Sequence, residues 1–360
     1  MLRASGIGTY LQNILPTLCN IFDVILLGDA NEIEPYAISK IAISLPIYSV
    51  SEIVHLPKRV PPCDIFWSPH YNVPLFSVPA RKRLVTIHDT FHLAHLNTLS
   101  LKQKIYAQVM MKACVKKSDH IITVSEFSRS EIIKYTHAPP DKVTVIHNGV
   151  NHQQFNPTHS ANKKQEVSDQ YKLPENYILY VGNVKPHKNL ICLIKAFSQI
   201  HNYTPHHLVI VGKKEGFITG DNELFATLEQ RPQVSEKAHF TGFVADEDLP
   251  LIYSMADLFV FPSLYEGFGL PPLEAMACGC LTLTSNRASM PEICGEATTY
   301  FNPESPLELA EQIKRLLALP DAERQAMISQ GSQKAGTYTW KNAIQKHVEI
   351  IQKLAYTISG

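Results

Sequence analysis

Short β-branched runs alternate with longer amphipathic stretches along most of the chain, and the alternation starts afresh halfway through. Strands that return in one direction through intervening helices build a parallel sheet with helices on its faces. In the first half, strands are expected at residues 24–28, 64–68, 84–87, 120–124 and 143–147, with helices at 99–117 and 127–135. Residues 30–62 show no clear period. Residues 151–174 (NHQQFNPTHSANKKQEVSDQYKLP) turn polar and read as a linker holding a short helix. A second series then follows at 177–182, 207–212, 239–242, 258–261 and 281–284, each strand trailed by a helical stretch. Right-handed crossovers make each half a doubly wound α/β sheet. A chain of 360 residues is too long for one comfortable core, so two domains are expected. They are residues 1–160 and residues 170–340; the amphipathic stretch at about 341–360 is placed with the first domain, though periodicity fits packing on its own domain as well.

Composition narrows the function classes. Hydrophobic residues make up 45% and charged residues 18%, an ordinary globular balance. Lys plus Arg and Asp plus Glu are equal at 33 each, so a whole-molecule field for nucleic acid is absent. No apolar run reaches the roughly 18 residues of a membrane span, and MLRASGIGTY lacks the apolar centre of a signal peptide. A cytoplasmic protein is expected. The seven cysteines match no disulfide framework and no CxxC pair, which points to reduced thiols. Cys278 and Cys280 sit in apolar surroundings and read as packing.

Ligands of such sheets bind outside the carboxyl ends of the strands. Four segments fall there: IHD (87–89), VGNVKPHKN (181–189), VGKKEG (211–216) and FPSLYEGFG (261–269). The last is the richest. In FPSLYEGFGLPPLEAMACG (261–279), Glu266 precedes a Gly267-Phe268-Gly269 turn, Pro271 and Pro272 suit the first turn of a helix, and Gly279 suits its end. The free N–H groups of a helix start, with its macrodipole, form an anion site. Glu266 lies at the mouth and Glu274 about one turn inside; such acid pairs are common, and it is the Gly-Phe-Gly turn and Pro start between them that set this one apart.

The run E-G-F-G-L-P-P-L-E resembles the paired-glutamate motif of the retaining glycosyltransferases of family 4. The resemblance extends from SGIGTY (5–10) to the stretch around Trp340, and is densest between Tyr177 and Pro303. It implies an α/β GT-B fold, two Rossmann-like doubly wound domains with an interdomain cleft. It further implies that Glu266 bonds hydroxyls of a donor hexose, that Glu274 holds the nucleotide ribose, and that amides of Gly267, Phe268, Gly269 and Leu270 meet the sugar and diphosphate. Lys188 is the expected phosphate cation, with Lys185 a second candidate. The family often carries Arg where this chain has Asn183, which brings a hydrogen bond but no charge. His88, directly after a strand, resembles the histidine that contacts the donor sugar. Gly6 and Gly8 resemble the flexible glycine loop over the diphosphate. Only five residues precede Gly6, so either the strand expected before that loop is missing or the chain starts later than its relatives. Phe243 and Val244, in TGFV, correspond to the wall for the nucleobase.

Simpler structural roles compete for several of these residues. His88, His92 and His95 have roughly helical spacing, but nothing completes a zinc ligand set, so no metal and no cofactor is expected. Asp246, Glu247 and Asp248 mark a helix start rather than a metal motif. Ser125 reads as a helix cap and HNGV (147–150) as a structural turn. The implied reaction is retaining transfer of a hexose from a nucleotide sugar, a UDP-sugar such as UDP-glucose ahead of GDP-mannose. The acceptor is a saccharide or lipid-linked saccharide in polysaccharide synthesis. The rival readings are a degenerate non-catalytic subunit and a GT-B-like sugar-nucleotide epimerase. Residues 100–117 mix apolar residues with Lys102, Lys104, Lys112, Lys116 and Lys117, which reads first as a plain domain-surface helix and, as the rival, as peripheral contact with the inner face of a membrane.

Overall fold

The computed structural model describes residues 6–34, 38–45, 50–212 and 222–359. The VGKKEG segment beyond Gly212 and the five residues before Gly6 lie outside the described residues. The chain divides into two compact units, residues 1–149 with 340–360, and residues 150–339.

In the first unit, β1 (Ile25–Gly28) and β2 (Ser39–Ala42) pair as a separate two-stranded parallel sheet. β3 (Cys63–Ser68), β4 (Ala80–Ile87), β5 (His120–Thr123) and β6 (Val143–Val145) form a parallel sheet in that order. Because successive side chains alternate across a strand, each of its faces carries its own core. Leu84 and Ile122 join a cluster with the helices Gly6–Ile21 and Trp340–Ser359. Val85, Ile87 and Ile121 join one with the helices Leu101–Lys117 and Glu126–Thr136. The C-terminal helix thus packs on the first unit, through Trp340 and Ala343.

Gly6 and Gly8 correct the expected loop: both lie at the start of the Gly6–Ile21 helix. Glycine is a poor helix former, but Tyr10, Leu11, Ile14, Leu15 and Leu18 recur at helical spacing and are buried, so packing overrides propensity. The uninterpretable stretch 30–62 contains β2 and the short helix Val50–His55. Ser125 does cap its helix, accepting from the Ser128 N–H.

The second unit opens with the short helix Ala161–Tyr171. Its six strands are β7 (Tyr177–Val181), β8 (His207–Val211), β9 (Ala238–Gly242), β10 (Leu258–Phe261), β11 (Thr282–Ser285) and β12 (Thr299–Phe301). The sheet is parallel throughout and ordered β12-β11-β10-β7-β8-β9. The order reverses between β7 and β10, and that reversal opens a crevice at the carboxyl ends of these two strands. Both faces are covered, so the strands read as near-continuous apolar runs: Ile178, Leu179 and Tyr180 are fully buried, as are Leu258, Phe259 and Val260. The helices Leu190–Ile200 and Pro306–Leu317 share one apolar cluster with the sheet, Phe197 among its fully buried members.

The seven cysteines form no disulfide. Cys278 and Cys280 are buried, and burial pushes the Cys280 thiol up to about 12, which fits packing rather than reactivity. Among the described residues no helix is long and apolar enough to cross a membrane.

Phe197→Ala leaves a large hole between the Leu190–Ile200 helix and the sheet. It is expected to lower the stability of the second unit by about 3–5 kcal/mol, read as a shift in the urea midpoint at constant slope.

Candidate active site

The crevice of the second unit is built from the turns that follow β7 and β10. After β7 the chain runs through Gly182 and Asn183 into a single 3-10 turn, Pro186–Lys188, and then the Leu190–Ile200 helix. The junction residue Asn189 is left-handed, with φ 57°. That conformation is open to Asn because its short polar side chain bonds locally. Here its amide donates to the carbonyls of Pro262 (3.1 Å) and Pro303 (2.8 Å), so the turn after β7 is tied to the segments after β10 and β12.

Lys188, one residue earlier, is thereby delivered to Glu266. Its Nζ lies 2.5 Å from Glu266 Oε1, and only 20% and 15% of the two side chains are exposed. Ser263 Oγ donates to the same oxygen at 2.7 Å. The ammonium also lies 5.9 Å from the centre of the Phe261 ring. A half-dry ion pair of this kind is held by its geometry; removing one partner leaves the other charge poorly solvated.

The loop after Glu266 is fixed from below. Ser289 Oγ bonds the carbonyls of Glu266 (3.0 Å) and Phe268 (2.7 Å). Gly269 caps the Leu270–Ala277 helix at φ 111°, a backbone conformation that residues with a side chain rarely adopt, so glycine suits the position. Pro271 and Pro272 carry no N–H, which leaves the Leu270 N–H as the first-turn donor without an intrahelical acceptor.

Glu274, one turn inside, does not join Glu266 in a pair. Its Oε2 accepts from the Tyr253 hydroxyl at 3.2 Å. Burial pushes its carboxyl up to about 7, the Tyr253 bond opposing and the nearby Asp246 adding to the rise. Asp246 belongs to the turn after β9, where Val244 is buried and the Phe243 ring is 73% exposed. That turn rests on the linker: Tyr171 hydroxyl donates to Asp248 (2.8 Å) and accepts from the Ala245 N–H (3.2 Å), and Gln154 donates to the Asp246 carbonyl. Asn183 is exposed, its carbonyl held by the Tyr180 hydroxyl at 3.2 Å. Lys185 is half-buried, its N–H bonding the Asn183 carbonyl.

In the first unit, His88 follows β4 directly. Its Nε2 lies 3.1 Å from the Pro69 carbonyl, and burial lowers its pKa. A carbonyl only accepts, so Nε2 carries the proton and Nδ1 of the neutral ring is left as an acceptor. His92 packs edge-on against Tyr71, and His95 lies tilted against Phe91, both in the aromatic layer of that unit. Asn189, Ser263, Ser289 and Tyr253 escaped the sequence reading. Of these, Asn189 alone had a local signal, an Asn directly before an apolar helical run.

Because Glu274 titrates higher folded than unfolded, the native state keeps a proton that the unfolded chain releases. Its contribution is full below about pH 4.5 and is lost as pH rises through about 7, by up to about 1.4 kcal/mol per pH unit. Glu274→Gln is expected to flatten that limb of the pH–stability curve; denaturant midpoints between pH 5 and 8 that fall in parallel with the wild type would contradict it.

The family profile "Glycosyltransferase Family 4" matches residues 6–154, and "Glycosyl transferases group 1" matches residues 162–334. The O-antigen chain mannosyltransferase B of Escherichia coli is 30% identical over 287 residues, 79% of this chain and 74% of that one. The serotype-specific mannosyltransferase WbdA of Escherichia coli is 31% identical over 239 residues, 66% of this chain but 29% of the relative, so this chain spans under a third of that protein's length. The sucrose-phosphate synthase of Thermosynechococcus elongatus shares the fold, with a TM-score of 0.79 at 21% identity over 98% of this chain and 94% of that one. Matched along both units, this chain belongs to glycosyltransferase family 4, with the GT-B fold.

Proposed function

We propose that the chain transfers a hexose from a nucleotide sugar to a saccharide or lipid-linked saccharide, with retention of configuration and without a metal, in polysaccharide synthesis. The observation that carries this reading is the Lys188–Glu266 pair, set at the strand-order reversal beside the start of the Leu270–Ala277 helix. Transfer breaks the bond between the anomeric carbon and the β-phosphate oxygen, and the acceptor oxygen takes its place. Negative charge grows on the departing diphosphate while the sugar passes through an oxocarbenium-like state. Lys188 and the Leu270 N–H supply positive charge for the diphosphate. Asn183 adds a neutral donor.

Glu266, already an acceptor for two donors, accepts hydrogen bonds from hydroxyls of the hexose, with the amides of Gly267, Phe268 and Gly269 lining the loop. Glu274 accepts from the ribose, and Phe243 with Val244 forms the wall for the base. His88, neutral with its Nδ1 an acceptor, contacts the donor sugar. The β-phosphate receives the acceptor's proton. The sequence reading ranks a UDP-hexose ahead of GDP-mannose; two relatives named as mannosyltransferases support a mannosyl donor.

Thermal unfolding with saturating GDP, UDP and ADP, with and without Mg2+, tests the site. A nucleotide at about 100 times its Kd adds roughly 2.7 kcal/mol and raises Tm visibly. GDP is expected to stabilise the wild type without metal, and Lys188→Ala to lose most of that shift. UDP alone shifting Tm would return the donor to UDP-glucose, and no shift with any nucleotide would sink the proposal.

The acceptor side of the proposal rests on the Leu101–Lys117 helix. Leu101, Ile105 and Val109 recur every four residues and are 73%, 54% and 51% exposed; Lys112 and Lys116 continue the same row. An apolar stripe running into cations suits an anionic lipid surface at the headgroup level. Flotation with anionic liposomes at low salt is expected to carry the protein, and Ile105→Glu to leave it in solution; a wild type that stays in solution contradicts the contact.

A further inference from the structure

A line of hydrogen bonds crosses the interior of the first unit and passes beside His88. Trp67 Nε1 donates to Thr86 Oγ1 at 3.0 Å. Thr86 Oγ1 lies 3.2 Å from the Tyr10 hydroxyl, which lies 2.5 Å from His347 Nε2 on the C-terminal helix. His347 Nδ1 lies 2.7 Å from the Ala343 carbonyl. Thr86, Tyr10 and His347 are all buried, at 0%, 1% and 0% exposure.

The direction of every bond follows. A carbonyl only accepts, so Nδ1 of His347 carries a proton. Burial pushes this ring down to about 4, so it is neutral at ordinary pH and its Nε2 is an acceptor. Tyr10 must then donate to His347. Thr86, which already receives the Trp67 N–H, gives its own proton to the Tyr10 oxygen. The line is fully satisfied in one arrangement, and a buried polar network of that kind rigidifies what it holds.

What it holds is the Tyr10 ring, and His88 lies against that ring. The two planes meet at 88° with centroids 4.9 Å apart. On its other sides His88 is held by the Pro69 carbonyl at Nε2 and by Ser128 Oγ, which donates to its backbone oxygen at 3.1 Å. A phenylalanine at position 10 could fill the same space but would swing free of His347.

We propose that His347 is a positioning residue for His88: by accepting the Tyr10 hydroxyl proton it fixes the ring against which the His88 imidazole is set. The proposal rests on the reading of His88 as a contact to the donor sugar.

The test uses the whole chain labelled with 15N-histidine, whose long-range 1H–15N spectrum reports which ring nitrogen carries the proton. His88→Ala assigns the His88 signals. The wild type is expected to hold His88 in the Nε2–H form, and Tyr10→Phe and His347→Leu to move its signals toward the average of two tautomers. His347→Gln offers Tyr10 an oxygen acceptor at similar reach and is expected to restore the wild-type pattern. Turnover, followed as nucleoside diphosphate released from GDP-mannose or UDP-glucose, is expected to fall about tenfold in kcat for Tyr10→Phe and His347→Leu at unchanged donor KM, with His347→Gln close to wild type. Unmoved His88 signals in folded Tyr10→Phe and His347→Leu would overturn the proposal while leaving the functional reading standing if His88→Ala still loses turnover. A fully active His88→Ala would sink both.

Discussion

Two N–H groups of one asparagine organise the candidate site. The amide of Asn189 reaches the carbonyls of Pro262 and Pro303, so the segments after β7, β10 and β12 are held at fixed distance. The residue is buried and left-handed, and each of its neighbours depends on that geometry. The 3-10 turn before it presents Lys188, and the Leu190–Ile200 helix after it sinks seven buried side chains into the core. A shift of the turn by an ångström separates Lys188 from Glu266 and leaves two half-buried charges to be solvated separately.

The pairing of those charges has a chemical consequence. Lys188 and Glu266 satisfy one another, with Ser263 as a third partner on the same oxygen. In the proposed reaction the two go to different parts of the donor, the ammonium to the diphosphate and the carboxylate to the sugar. Glu274 is arranged on another plan. It is desolvated, it accepts a hydrogen bond from Tyr253, and burial pushes its carboxyl up to about 7.

The first unit solves a different problem by the same means. Four polar side chains inside its sheet–helix layer form a directed line from Trp67 to the Ala343 carbonyl. Burying hydroxyl and imidazole groups costs free energy unless each finds a partner, and here each does. The line needs the C-terminal helix, because His347 is its acceptor. Trp340, Ala343 and His347 of the C-terminal helix are therefore part of the interior of the first unit, although the whole second unit separates them from it in sequence.

What the sequence determined by itself was local. The strands of the second unit announce themselves as apolar runs because both faces are covered, and the Glu-Gly-Phe-Gly turn with its Pro-Pro start is legible because backbone geometry restricts those positions to glycine and proline. β2 and the three-residue β12 gave too short a pattern to register, and the first glycines were misjudged as a loop because a buried helix face outweighs glycine's own preference. The tertiary structure alone decided who meets whom. β7 lies beside β10 although 76 residues separate their ends, so Lys188 reaches Glu266. Tyr253 meets Glu274, and Tyr10 meets His347 from the far end of the chain. Such contacts depend on strand order and on which face a side chain occupies, and no local propensity encodes either.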